Sequence, residues 1–527
     1  MSVTIENIGP NYHLGHLVLD YMKKYLQYVY QIDAATGEEE TYASVLSRSI
    51  KLARALIAFG FKPGDVLAIG GRNHLDIHIP FYAALFNGFP IVGVDPFFKY
   101  DEVKTLFNLA KPKIAFCQSD SYDNYTKAAE ELGLETKIIT FDDGECNLLN
   151  FIQKNDTKTP EEDFKPEEID IDKIYAFLIS TSGTTGKVKL AAFKHTPFMT
   201  KILALHKHES VHKVKTNKTT LNLSPVQWIS SYFLCLYVPM MGDTMVQTSK
   251  PENFDHIIEI INKYRPNTTL LSPTFMSNLI RRKDDVDLKC FTSIAFTGSK
   301  IYPDVLIQFK ELLSKDAIAM EAYGQTETIG GVLAPNITGP VGSCGRPMPG
   351  CSIKLIDPDS GAEINEPNVI GELWAKGLSF TEYYNDPEET RLACSEDGYL
   401  KTGDLLYRDE NDNYYFVDRI KTLIKYRNSH VLPSELEDVI RAHPHVKDVC
   451  VIGINDQVDG QRPVACIVKE NNCDVTAPEI KDLVACKLSK NKELRGGVIF
   501  LDSFPLTSTG KLARARLQQI ASNYHKE

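Results

Sequence analysis

The sequence predicts an α/β fold: a large N-terminal domain of α/β layers with a β-barrel-like subdomain, followed by a small α+β C-terminal domain. Three observations predict it. Through the first 400 residues or so, short β-rich apolar runs alternate with amphipathic helical segments, the pattern of layered and substantially parallel sheets. From about Gly371 the pattern changes to strands separated by turns, among them Asp409 to Asn413. After Asp418-Arg419 comes a compact tail read as helix, strand, helix and strand, Ser434 to Asn523. At 527 residues the chain is too long for one hydrophobic core, and the expected division is 1–418, a 419–421 junction and 422–527.

Along the chain, Tyr42 to Phe59 places apolar residues at helical spacing. Asp65 to Ile69, Pro90 to Val94 and Lys113 to Phe116 are short β-rich runs. Gln153 to Asp172 is polar and acidic, contains Pro160 and Pro166, and reads as a surface connection. Ile174 to Ile179 is continuously apolar, as a buried strand would be.

Composition narrows the function classes. Hydrophobic residues make up 43% and charged residues 24%, ordinary values for a globular protein. A net charge of −11 argues against nucleic acid as the main partner and gives no reason to expect an anionic membrane. The 11 cysteines are scattered without a Cys-x-x-Cys pair, which reads as reduced thiols, neither a disulfide framework nor a zinc site. His206, His208 and His212 lack the companions of a metal motif and read as a solvated face. Met1 to Gly9 has no signal-peptide profile, no apolar stretch is long enough to span a bilayer, and the C-terminus is not Ser-Lys-Leu. A cytoplasmic protein is the expectation.

The sharpest local feature is Thr181-Ser182-Gly183-Thr184-Thr185-Gly186-Lys187, followed by Val188 and Lys189. Small hydroxyl residues and two glycines let the backbone curl and aim N–H groups at phosphate oxygens, with Lys187 and Lys189 adding positive charge. The Walker spacing is absent. Leu190 to Phe193 reads as a second strand, which makes a hairpin, and the next helix is expected to start with Thr196 as N-cap and Pro197 at its first position. Taken alone, the same composition also describes a solvated turn; the neighbouring motifs decide.

At this point the chain resembles the adenylate-forming superfamily of acyl-CoA synthetases, 4-coumarate–CoA ligases and luciferases. The loop is similar to that family's Ser/Thr-Ser-Gly-Ser/Thr-Thr-Gly-x-Pro-Lys-Gly signature. Tyr323-Gly324-Gln325-Thr326-Glu327-Thr328, Gly342 to Gly350, Gly398 to Asp404, Asp418 to Lys421 with Lys425, and Thr509-Gly510-Lys511 resemble further motifs in the family's order. The resemblance covers essentially the whole chain and is closest to insect luciferase-like acyl-CoA ligases.

The resemblance implies ATP, Mg²⁺ and CoA as cofactors, and a small carboxylic acid as substrate. It gives ATP binding to Thr181, Ser182, Gly183, Thr184, Thr185, Gly186, Lys187, Lys189, Gly298, Tyr323, Gly324, Asp404 and Arg419. Asp404 would accept from the ribose hydroxyls, Thr326 would meet the α-phosphate, and Glu327 would hold Mg²⁺. Lys511 would stabilise the transition state of adenylation. Lys421 sits at the hinge of a mobile C-terminal domain, whose rotation brings Lys425 to the site for the thiol step. Trp228, Gln325 and Gly331 fall to the acyl pocket, although an aromatic such as Trp228 is also an ordinary core residue.

Several positions depart from the family. Pro-Lys-Gly is Val188-Lys189-Leu190 here, the glycine expected along the thiol path is Asn428, and Thr297-Gly298-Ser299-Lys300 retains half of the adenine-site segment. The implied activity is Mg-dependent activation of a fatty or aryl acid to an acyl-adenylate, then transfer to CoA. The alternatives are a luciferase, which oxidises an adenylated luciferin with O₂ and needs no CoA, and an inactive nucleotide-binding relative.

Overall fold

The computed structural model describes residues 9, 11–181, 188–211, 218–251, 253–298, 300–334, 339–427, 429–471, 473–506 and 512–524, the side chains of 208–211 excepted. Two seven-stranded sheets form most of it. In the first, the order is Glu382–Tyr383, Lys189–Lys194, Tyr175–Thr181, Ile91–Val94, Leu67–Gly70, Ile114–Cys117 and Lys137–Thr140. Its centre is parallel, and every residue of Leu67–Gly70, Ile91–Val94 and Ile114–Cys117 is buried. Strands covered by helices on both faces must be apolar throughout, which is why these runs lack alternation.

The second sheet runs Ile318–Glu321, Ser293–Phe296, Thr268–Leu271, Thr219–Leu221, Thr244–Gln247, Val29–Asp33 and Glu38–Thr41. It is parallel except for its last pair. Helix Tyr42–Phe59 has the bounds that its periodicity indicates. Thr41 caps its start by accepting from Ser44 N, and Gly60 ends it at φ 114°, a conformation that glycine adopts without strain.

The Tyr175–Thr181 and Lys189–Lys194 strands pair antiparallel as the expected hairpin. The following helix, His195–Val211, begins at the end of the strand, ahead of the Thr196 cap read from sequence. Pro197 thus lies inside the first turn, where an amide hydrogen has no intrahelical acceptor to lose. Gln153 to Asp172 is pinned rather than loose: Ile169 is buried, and Glu167 N bonds Phe86 O at 2.8 Å.

The strand-and-turn region starts earlier than Gly371, with Ser352–Ile356. It forms an antiparallel sheet ordered Ser352–Ile356, Gly371–Lys376, Leu400–Arg408 and Tyr414–Arg419. A short ribbon, Leu333–Ala334 with Arg346–Pro347, lies beside it through a bridge from Gly345 to Tyr414. Among the described residues these strands do not close into a barrel.

The tail is richer than helix, strand, helix and strand. Val446–Asp456 and Gly460–Lys469 form a long hairpin, and Gly497–Phe500 pairs parallel to its second strand. Helices Pro433–Arg441 and Ala477–Lys487 pack in one core, while Arg514–Tyr524 contributes Leu517 and Ala521 to another. Both of these cores draw only on residues from Ile424 onward. Asp418 organises the chain just before them. It accepts from Arg419 N at 2.7 Å, from the Thr422 hydroxyl at 2.5 Å and from Ser434 N at 3.2 Å.

Candidate active site

Parallel strands Ser293–Phe296 and Ile318–Glu321 lie side by side and end together. Open α/β sheets bind ligands beyond the carboxyl ends of such strands. Gly298 follows the first strand at φ 101°, and Tyr323-Gly324 follows the second. A Cβ on Gly324 would lie 2.3 Å from Gly330 O, so only glycine lets the chain double back there. Between the two glycines, Thr326–Thr328 forms a single 3₁₀ turn closed by Ile329 at φ 52°. A β-branched residue in the left-handed region is strained, and such strain is held only where surrounding contacts over-determine it.

That turn buries Glu327. Its Oε1 accepts from the Tyr383 hydroxyl at 2.8 Å, and its backbone oxygen accepts from Phe380 N at 2.7 Å. Tyr383 pairs in register with Ala191, in the second strand of the hairpin that carries the glycine-rich loop. Lys189 lies over the Tyr383 ring, 5.0 Å from its centroid, and its ammonium is paired with Glu389. Thr181 and Lys189 are direct register partners at the base of the loop. The loop base and Glu327 are therefore joined through one tyrosine.

Asp404 stands on the neighbouring antiparallel sheet, opposite Arg419 in register. Its Oδ2 accepts from Tyr323 Oη at 2.9 Å and Gln325 Nε2 at 3.3 Å. Arg419 Nε lies 2.9 Å from Oδ1 as an ion pair, but without the alignment a hydrogen bond needs, so among the described residues Oδ1 accepts none. Burial raises the Asp404 pKa, opposed by the Arg419 charge. Burial, followed by the Arg419 charge, lowers that of Lys421. A buried acceptor oxygen left without a hydrogen bond suits a ligand that brings hydroxyl donors, as a ribose does.

The expected residues thus fall into groups. Thr181, Lys189 and Glu327 are linked through Tyr383, and Tyr323, Gln325, Asp404 and Arg419 form a second connected cluster. Thr326 and Gly324 belong to the turn between them. The Gln325 amide is taken up by Thr402 O at 2.8 Å and by Asp404, rather than left for an acyl group. Trp228 is the N-cap of helix Ile229–Met241, and its buried Nε1 has no hydrogen-bond partner among the described residues. Gly331 O accepts from Lys201 Nζ at 3.0 Å. Lys425 is exposed on strand Ile424–Tyr426, apart from these clusters in the contacts above.

Ser182, Gly183, Thr184, Thr185, Gly186, Lys187, Lys511, Asn428 and Ser299 lie outside the described residues, as do His212 and the side chain of His208. Sequence reading missed Tyr383 and Lys201. Tyr383 carries no local signal, because its partner is remote in sequence. Lys201 does: it falls at i+3 from Phe198, on the apolar face of its helix.

A family model described as AMP-binding enzyme matches residues 22–384, and one for the AMP-binding enzyme C-terminal domain matches 435–511. Luciferin 4-monooxygenase of Photuris pensylvanica is 30% identical over 93% of this chain and 91% of its own. 4-Coumarate–CoA ligase 3 of Oryza sativa subsp. japonica is 28% identical over 92% and 88%. The ATP-bound crystal structure of MatB from Rhodopseudomonas palustris superposes with a TM-score of 0.85, at 22% identity, over 97% of this chain and 100% of that one. The chain therefore belongs to the AMP-binding enzyme family, and is an enzyme of the adenylate-forming superfamily that includes luciferases and 4-coumarate–CoA ligases.

Proposed function

We propose that this enzyme activates a carboxylic acid with ATP, releasing pyrophosphate, and then transfers the acyl group to CoA. The observation that carries the reading is the assembly of Glu327, Tyr323, Gln325, Asp404 and Arg419 around two adjoining strand ends, with one Asp404 oxygen that accepts no hydrogen bond among the described residues.

In this reading Asp404 accepts hydrogen bonds from the ribose, and Tyr323 and Gln325 orient its carboxylate. Arg419 lies beside the same group. The glycine-rich loop, Thr181 to Lys187, binds the phosphates; Lys189 supports its base through Glu389 and Tyr383. Glu327, with Tyr383 fixing one oxygen, suits Mg²⁺, which when bound would neutralise phosphate charge. The acid's oxygen attacks the α-phosphorus, the bond to the β-phosphate oxygen breaks, and pyrophosphate leaves. Thr326 and Lys511 stabilise the charge that develops on the α-phosphate. The CoA sulfur then attacks the acyl carbon, and AMP leaves.

Residues 1–418 and 422–527 act as separate bodies about a 419–421 junction. Asp418 holds the start of the second body to the end of the first, and rotation at Lys421 presents Lys425 for the thiol step. Among the described residues no helix is long and apolar enough to cross a membrane.

The luciferase reading is favoured by the similarity to the Photuris enzyme and by Asn428 at the position of a thiol-path glycine. One assay separates the two: pyrophosphate release from Mg-ATP across fatty and aryl acids, with and without CoA, in air. Acid-dependent release that accelerates with CoA supports the ligase. Release indifferent to CoA and accompanied by light would replace it with the luciferase, and no acid-dependent release would overturn both.

A further inference from the structure

Helix His195–Val211 turns Phe198, Met199, Ile202 and Leu203 into the core. Lys201 shares that face and is only 9% exposed. Its ammonium makes one hydrogen bond, to Gly331 O, and forms no ion pair among the described residues. Burial lowers its pKa to about 8, so it still carries its proton at neutral pH. An ammonium has three donors, and a buried charge is normally paired. Among the described residues, two donors and the charge itself are left without a partner.

The surroundings leave room for an answer. Gly331 lies just past the Glu327 turn, tied to it by Gly331 N to Thr328 O at 3.4 Å. A Cβ on Gly331 would meet Tyr323 O at 3.4 Å, Met348 Sδ at 3.8 Å and Lys201 Nζ at 3.9 Å, ordinary contact distances. Among the described residues, a methyl-sized space beside the ammonium is therefore left unfilled.

We propose that Lys201 determines specificity in the acyl site by binding a second anionic group on the acid, making a dicarboxylic acid the preferred substrate class. The inference rests on the acid-activating reading above and narrows it. The reacting carboxylate is the poorer candidate for Lys201, because an ammonium holding it in the ground state would stabilise the nucleophile and raise the barrier. A fatty acid would place methylene groups against an unpaired charge, a loss that its apolar burial has to overcome.

The test compares pyrophosphate release from Mg-ATP with acids of matched length, butyric against butanedioic through dodecanoic against dodecanedioic acid. It uses the full-length enzyme, Lys201→Met and Lys201→Arg. Methionine has similar volume and removes a buried charge, so the variant should fold, which its melting curve checks. Wild type should favour one of the dicarboxylic acids in kcat/KM. Lys201→Met should lose on the order of thirtyfold with that acid, chiefly in KM, while its monocarboxylic partner is unaffected or improved. Lys201→Arg should keep the preference. Equal loss on both partners, or a wild type that prefers monocarboxylic acids, overturns the inference while leaving acid activation standing. Release with no acid at all overturns both.

Discussion

Tyr383 donates its hydroxyl to Glu327 Oε1 at 2.8 Å, tying the 3₁₀ turn after one sheet to the edge of the other. The bond joins a turn that follows one sheet to a strand of the other, so it couples the position of the carboxylate to the glycine-rich hairpin. A hydrogen bond to a carboxylate contributes roughly 1.5–3 kcal/mol. Tyr383→Phe should keep the ring against Lys189 yet free the carboxylate, lowering kcat for pyrophosphate release by about tenfold or more and raising the Mg²⁺ requirement. Magnesium titration of the variant checks this; an unchanged curve removes Tyr383 from the site.

Asp404 makes a separate prediction through the oxygen that accepts no hydrogen bond among the described residues. If the ribose hydroxyls bond there, wild type should discriminate against 2′-deoxy-ATP or 3′-deoxy-ATP, and Asp404→Asn should discriminate less while its KM for ATP rises. One lost charge-assisted bond predicts on the order of tenfold to a hundredfold. Equal discrimination in both proteins would place the ribose elsewhere.

The two lysines proposed as catalytic should separate by half-reaction. Lys511→Ala should abolish pyrophosphate release while ATP binding persists, whereas Lys425→Ala should release pyrophosphate and lose CoA-dependent turnover. Asn428→Gly, which removes a side chain from the proposed thiol path, should raise CoA-dependent turnover above wild type. Single-turnover measurements with and without CoA resolve the steps.

Glu321 gives a pH prediction. Burial raises its pKa to about 7, countered by the Ile301 amide, the Cys344 thiol and the Lys300 charge. In the unfolded chain the group titrates near the ordinary glutamate value of about 4.3. Below that value both states hold the proton. Between there and about 7 the unfolded chain has released it and the folded chain has not, so stability falls as pH rises and then levels off. The loss is roughly 4 kcal/mol in total. Glu321→Gln should flatten this slope and melt higher than wild type at pH 8; parallel pH profiles of melting temperature would refute it.

Much of the fold was legible because apolar periodicity records which faces are covered. The Tyr42–Phe59 helix and the strands at Leu67, Ile91 and Ile114 follow from burial that is local in sequence. The tail was less legible. The hairpin of Val446–Asp456 and Gly460–Lys469 is a long-range pairing, and Arg514–Tyr524 buries only Leu517 and Ala521, too few for a strong helical period.

The sequence by itself determined the motif residues and their order, and through them the family, because tight backbone turns and glycine-rich loops need particular residue types at short spacing. Tertiary structure alone decided their partners: Tyr383 on Glu327, Gln325 turned to Asp404, Lys189 given to Glu389, and Lys201 left without a counter-charge among the described residues. Those pairings join residues far apart along the chain. They depend on which strands lie side by side and on what each buried polar atom finds there, and neither is written in local sequence.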